Sequence, residues 1–208
     1  MKIKICGLTD PENSKQIASL DIHAIGLVFF TESPRAVSIE QANEIIQELP
    51  PFINKVGLFV NANSNFVDQV LNSVNIDTIQ FHGDESSSDC SQFQMPFIKA
   101  IRMREGTNLL SQAEEFSSAS GLLLDSFEED SYGGTGKSFD WNLIKNNLDL
   151  PIILAGGLNK DNIMSAIEKT QPYAIDISSG VEVDKGIKDI GKTKEIIEIV
   201  KSIRRIYF

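Results

Sequence analysis

Two side chains capable of acid–base work stand at the ends of short apolar runs. Cys6 closes Lys2-Ile3-Lys4-Ile5, and Asp125 closes Gly121-Leu122-Leu123-Leu124. A thiolate serves as base or nucleophile where nearby positive charge makes the thiol more acidic. Lys4 lies two residues before Cys6, on the same face of an extended strand, and is the first candidate for that charge. A lone cysteine reads first as a buried, inert one; as a base, Cys6 is expected to be more acidic than a free thiol. A carboxyl group ending an apolar strand is partly desolvated, which favours its protonated form and suits a general acid. Capping the following loop is the competing role for Asp125. A small substrate lying between Cys6 and Asp125 would meet an acid and a base.

Other polar groups follow apolar runs in the same way. Ala155-Gly156-Gly157-Leu158 and Ser178-Ser179-Gly180-Val181 are glycine-bearing turns that let backbone N–H groups approach phosphate oxygens; otherwise they are two ordinary tight turns. Arg35, after Ser33-Pro34, could grip a carboxylate in a bidentate fork or be a solvated loop arginine. Gln80 and His82 share a strand face and could hydrogen-bond a substrate, unless His82 is a satisfied structural histidine. Asp176 sits near the end of another run. Gly136-Lys137-Ser138 resembles the close of a P-loop, but Ser131 stands where that pattern requires glycine, so Gly133, Gly134 and Gly136 read instead as a lid over the site. His23 and His82 are the only histidines and Cys6 and Cys90 the only cysteines, all far apart; neither a metal site nor a disulfide is expected.

The elements that must position these groups recur regularly. Strand candidates fall at 2–6, 24–29, 55–60, 78–81, 97–101, 121–125, 152–155 and 174–177. Helix candidates lie between and after them at 11–20, 38–48, 64–73, 85–92, 108–116, 140–146, 160–168 and 192–203. Thr9-Asp10-Pro11 reads as a helix start, and Ser38 to Gln41 has the spacing of a capping box. Alternating strands and helices imply parallel strands with right-handed crossovers, and eight units imply an α/β chain forming a single (β/α)8 TIM barrel over residues 1–208. In such a barrel the residues just after the strands converge on one rim.

Composition narrows the function. Hydrophobic residues make up 41% and charged residues 23% of the 208, which excludes a disordered or fibrous chain. Lys plus Arg (19) against Asp plus Glu (29) leaves a net charge of −10, unfavourable for nucleic acid or an anionic membrane. The longest apolar run, residues 24–30, is far short of a membrane span, and the N-terminus lacks the apolar stretch of a signal peptide. A cytoplasmic monomer is expected, the latter from the acidic surface and the lack of an extra apolar helix.

The ordered set of motifs resembles the phosphoribosylanthranilate isomerase family of tryptophan biosynthesis. The resemblance runs through Lys4-Ile5-Cys6-Gly7-Leu8-Thr9, Ser33-Pro34-Arg35, Gln80-Phe81-His82-Gly83 and Leu124-Asp125-Ser126. It continues with Gly133-Gly134-Thr135-Gly136, Phe139-Asp140-Trp141, Leu154-Ala155-Gly156-Gly157-Leu158, Asp176-Ile177-Ser178-Ser179-Gly180-Val181-Glu182 and Gly186-Ile187-Lys188-Asp189. It implies a barrel that turns a phosphorylated aminosugar into its ketose by an Amadori rearrangement, without cofactor or metal. Asp125 would be the general acid at the ribose ring oxygen and Cys6 the general base at C2′. Arg35 would meet the anthranilate carboxylate, and Gly156, Gly157, Ser178, Ser179 and Gly180 the phosphate. Gln80, His82 and Asp176 would orient the substrate. The competing readings are another phosphate-binding barrel, such as a sugar-phosphate epimerase or the aminoaldose isomerase of histidine biosynthesis, and a silent barrel that binds a phosphorylated ligand. A metal-ligand set would favour the epimerase; an aspartate in place of Cys6, the histidine-pathway enzyme.

Overall fold

Eight parallel strands pair in chain order and close on themselves: β1 (Lys2–Cys6), β2 (Ala24–Val28), β3 (Asn54–Phe59), β4 (Thr78–Phe81), β5 (Phe97–Met103), β6 (Gly121–Ser126), β7 (Ile152–Leu154) and β8 (Ala174–Ile177). The structure is a computed structural model and describes residues 1–127, 138–144 and 148–207. Helices α1 (Pro11–Ala18), α2 (Ile39–Gln47), α3 (Ser64–Ser73), α4 (Ser87–Ser91), α5 (Leu109–Glu115) and α6 (Ile163–Thr170) connect strands, and α7 (Ile190–Tyr207) follows β8. The glycines read as a lid, Gly133, Gly134 and Gly136, lie outside the described residues.

Strand alternation explains both the core and the site. On β1, Ile3 and Ile5 are buried in the large apolar cluster between strands and helices, while Lys4 and Cys6 take the other parity. The same alternation assigns Ile98, Ala100, Leu123, Ile153, Ala155 and Ala174 to a small cluster inside the barrel. Cys6, Val28, Leu58 and Val60 form a third cluster nearer the rim. Both strand faces are therefore buried, as a parallel sheet wrapped in helices requires.

Local chemistry sets the helix starts. Asp10 caps α1, its carboxylate accepting from Asn13 N–H at 2.7 Å with Pro11 in the first turn, where a missing N–H costs nothing. Ser38 Oγ accepts from Gln41 N–H at 3.1 Å, but the Gln41 side chain donates to the Thr9 carbonyl at 2.6 Å, so only half of the expected capping box forms. The segment expected as a helix at 140–146 holds a 3-10 turn, Trp141–Leu143, with residues 145–147 outside the described set. Two further corrections concern boundaries: the helix expected at 85–92 is the single turn Ser87–Ser91, started by a capping box between Ser86 and Asp89, and the one expected at 160–168 runs Ile163–Thr170. A two-stranded hairpin after β8, β9 (Glu182–Asp184) with β10 (Ile187–Lys188), has no counterpart in the sequence reading. No helix among the described residues is long and apolar enough to cross a membrane.

Candidate active site

The inward parity that buries Lys4 continues upward to Cys6, and the equivalent positions on β4, β6 and β8 deliver Gln80, Asp125 and Asp176 to the same mouth. One cleft of about 680 Å³, including its open mouth, is lined by Cys6, Arg35, Gln80, His82, Asp125 and Asp176 together with Gly156, Gly157, Ser178 and Ser179. Gly180 follows immediately in the 3-10 turn Ser179–Val181 but does not itself line the cleft.

Cys6 stands opposite Gly26 in the β1–β2 register. A side chain on Gly26 would put its Cβ 2.5 Å from Cys6 Sγ and 3.1 Å from Lys4 Nζ, so glycine is what leaves room for the thiol and the ammonium side by side. Lys4 is 4% exposed and donates to both oxygens of Asp176 at 3.0 Å. Burial pushes the Cys6 thiol up; Lys4 pulls it down, Asp176 pushes it up again, Lys188 pulls it down, and the outcome lies above the ordinary thiol value. This corrects the expectation of an unusually acidic cysteine. The cation is present, but it is already neutralised by Asp176, and desolvation prevails. Burial works against the Lys4 ammonium, yet Asp176 and Cys6 leave it above its ordinary value, so Lys4 is charged.

Across the cleft, Asp125 Oδ1 accepts from the Ser126 N–H at 2.7 Å. His82 Nε2 stands 3.1 Å from Asp125 Oδ2 without a formed hydrogen bond, close enough for a small rotation of the ring to make one. Gln80, fully buried, bonds His82 Nδ1 at 3.0 Å and orients the ring. Gly156 closes the floor beside this pair: with φ at +80° and its Cβ position 2.8 Å from the Ser126 nitrogen, no other residue type fits without strain.

The fork of Arg35 meets a protein carboxylate. Its Nε and Nη2 donate to Glu182 at 2.7 Å each, in bidentate geometry. Lys188, with its side chain fully buried, donates to Glu182 at 2.6 Å and to the carbonyl and hydroxyl of Ser178 at 3.3 Å. Burial pushes the Glu182 carboxyl up, but hydrogen bonds from Arg35 and the charges of Lys188 and Arg35 bring it down to about 2. The β9–β10 hairpin thus ties the loop after β2 to the loop after β8. Sequence reasoning quoted Glu182 and Lys188 only as motif residues and missed this clamp. No group of three His, Cys, Asp or Glu side chains suited to a metal ion occurs among the described residues.

Comparison with known proteins gives this geometry its relatives. Residues 3–199 match the family model described as PRAI, N-(5'phosphoribosyl)anthranilate (PRA) isomerase. The chain is 46% identical over 205 residues to N-(5'-phosphoribosyl)anthranilate isomerase of Pseudomonas aeruginosa, covering 99% of this chain and 97% of that one. The crystal structure of phosphoribosyl anthranilate isomerase from Thermotoga maritima superposes with a TM-score of 0.87 at 34% identity, covering 97% and 99%. A phosphoribosyl anthranilate isomerase solved with reduced 1-(o-carboxyphenylamino)-1-deoxyribulose 5-phosphate superposes with a TM-score of 0.84 at 33% identity, over the same shares.

Proposed function

The chain belongs to the N-(5'-phosphoribosyl)anthranilate isomerase family, and from that premise we propose that it converts N-(5′-phosphoribosyl)anthranilate into 1-(2-carboxyphenylamino)-1-deoxyribulose 5-phosphate in tryptophan biosynthesis. The reaction is an Amadori rearrangement. Asp125 gives its proton to the ribose ring oxygen, the ring C1′–O bond breaks and a Schiff base forms between C1′ and the anthranilate nitrogen. The Cys6 thiolate then takes the C2′ proton, and the C–H electron pair neutralises the iminium as an enolamine. Tautomerisation of the enolamine, with a proton gained at C1′ and lost from the C2′ hydroxyl, gives the ketose. Asp125 ends as carboxylate and Cys6 as thiol, and one proton returned from the thiol side to the acid side resets the site.

The observation that supports this reading most is the delivery of Cys6 from β1 and Asp125 from β6 to one cleft, each on the inward parity of its strand. Because burial keeps the resting thiol protonated, the reactive thiolate is the minor form in the empty site. The turns at Gly156-Gly157 and Ser178-Ser179-Gly180 take the substrate phosphate on backbone N–H groups. Arg35, with Nε and Nη2 held by Glu182, offers Nη1 to the anthranilate carboxylate. Gln80 and His82 orient the substrate beside Asp125, and Asp176 does so beside Cys6.

Borodeuteride reduction of the reaction mixture tests the reaction class. A ketose product takes deuterium at C2′, whereas unreacted aminoaldose takes it at C1′. Label at C2′ that accumulates with time is expected; label confined to C1′ would reject the isomerisation. Cys6 where the histidine-pathway enzyme would carry aspartate weighs against that alternative.

A further inference from the structure

Lys4 is a buried cation that the proposed proton transfers do not use. Its ammonium lies between a carboxylate it holds at two points, Asp176 Oδ1 and Oδ2 at 3.0 Å each, and the Cys6 thiol, which shares with it the space left by Gly26. Asp176 lines the cleft and Lys4 does not, so Asp176 meets a ligand while Lys4 acts from beneath. We propose that Lys4 is the positioning residue for the base: one ammonium shared between Asp176 and Cys6, whose partition between the two sets how readily Cys6 gives up its proton. Asp176 is then a competitor for the cation as well as a surface for substrate.

The physical argument is short. In a dry site an ammonium within a few ångströms of a thiol stabilises the thiolate strongly, and a carboxylate bonded to that ammonium cancels most of the effect. The charged groups facing Cys6 are Lys4 from β1, Asp176 from β8, Lys188 from β10 and Arg35 from the loop after β2; β2 itself presents Gly26 and Val28, neither of them charged. Lys188 and Arg35 are both committed to Glu182, which leaves Lys4 as the cation with the closest claim on the thiol. A substrate hydroxyl that bonds Asp176 weakens its hold on Lys4 and shifts the ammonium's field to sulfur, so occupation of the site itself prepares the base.

This inference rests on Cys6 being the base, but its test does not require turnover. The thiolate absorbance of the ligand-free protein, less that of Cys6→Ser, is followed against pH in the wild type, Lys4→Met, Lys4→Arg and Asp176→Asn. Cys90 stays silent, because burial pushes its thiol up to about 12. Lys4→Met should raise the Cys6 midpoint by about one pH unit or more, Lys4→Arg should hold it near wild type, and Asp176→Asn should lower it. The acidic limb of kcat/KM should move in the same directions. A Lys4 with only a structural role would lower activity or stability and leave the midpoint in place. Should Lys4→Met not fold, Lys4→Gln is read in its place, and a midpoint that stays or falls when the ammonium is removed overturns the proposal; Asp176→Asn supports it only together with that result, because the Asp176 carboxylate also raises the thiol directly. Shifted midpoints in a protein without isomerase activity would uphold the Lys4–Cys6 coupling and reject only the assigned reaction.

Discussion

Cys6 and Asp125 make the sharpest claims at the scale of single residues. General acid–base groups typically contribute 10²–10⁴-fold, so Cys6→Ser and Asp125→Asn should each lower kcat at least ~10²-fold in steady-state turnover, with far-ultraviolet circular dichroism unchanged. Near-wild-type turnover in either variant would remove that residue from its role. Arg35→Ala should chiefly raise KM, because it deletes a binding contact and leaves the proton transfers in place; an unchanged KM would take Arg35 out of the carboxylate subsite. That Cys6, Gln80, Asp125 and Asp176 face one cleft was legible in the sequence, since each lies at the end of an apolar run on the inward parity, whereas Arg35 stands in a loop where parity says nothing and Gly180 does not line the cleft. Charge states at the site were not legible. The Lys4–Cys6 spacing is visible from alternation alone, whereas the Asp176 carboxylate that neutralises Lys4 is 172 positions away and meets it only when β8 pairs with β1.

Elements decide how precisely those residues are held. Gly26→Ala places a methyl carbon 2.5 Å from Cys6 Sγ, which must move the thiol, the strand or both. A displacement of that kind should cut kcat on the order of 10- to 100-fold with little change in KM; a fully active variant would show that the thiol position is not demanding. The β9–β10 hairpin makes a different prediction. Glu182 has its carboxyl depressed from 4.5 to about 2, so its contribution is fully present above about pH 4.5 and is lost as pH falls toward 2. The linkage amounts to about 3 kcal/mol, visible as an acid slope in urea unfolding that Glu182→Gln should flatten. An unchanged slope would mean that Glu182 is not tied to Arg35 and Lys188 in solution. This hairpin was hidden in the sequence because its strands are three and two residues long, too short for a periodic signal. The strands 2–6, 78–81 and 174–177 were by contrast read to the residue, being apolar runs bounded by polar breaks.

For the whole molecule, barrel closure gathers groups from both ends of the chain. Eight strand–helix spacings announce the barrel, and closure through the β8–β1 pair brings Asp176 to Lys4 and leaves Glu182 and Lys188 beside the loop that bears Arg35. The net charge of −10 does not prevent an anionic ligand from entering, because Arg35 and Lys188 share one carboxylate, Glu182, beside the cleft and the turns offer backbone N–H groups. The most direct measurement is steady-state fluorescence with freshly generated phosphoribosylanthranilate, comparing the wild type with Cys6→Ser. Loss of anthranilate-type emission with the wild type, collapsing in the variant, is the predicted result. Intact substrate left unconverted by folded wild-type protein would contradict the assigned reaction, and undiminished turnover by Cys6→Ser would contradict the assigned base.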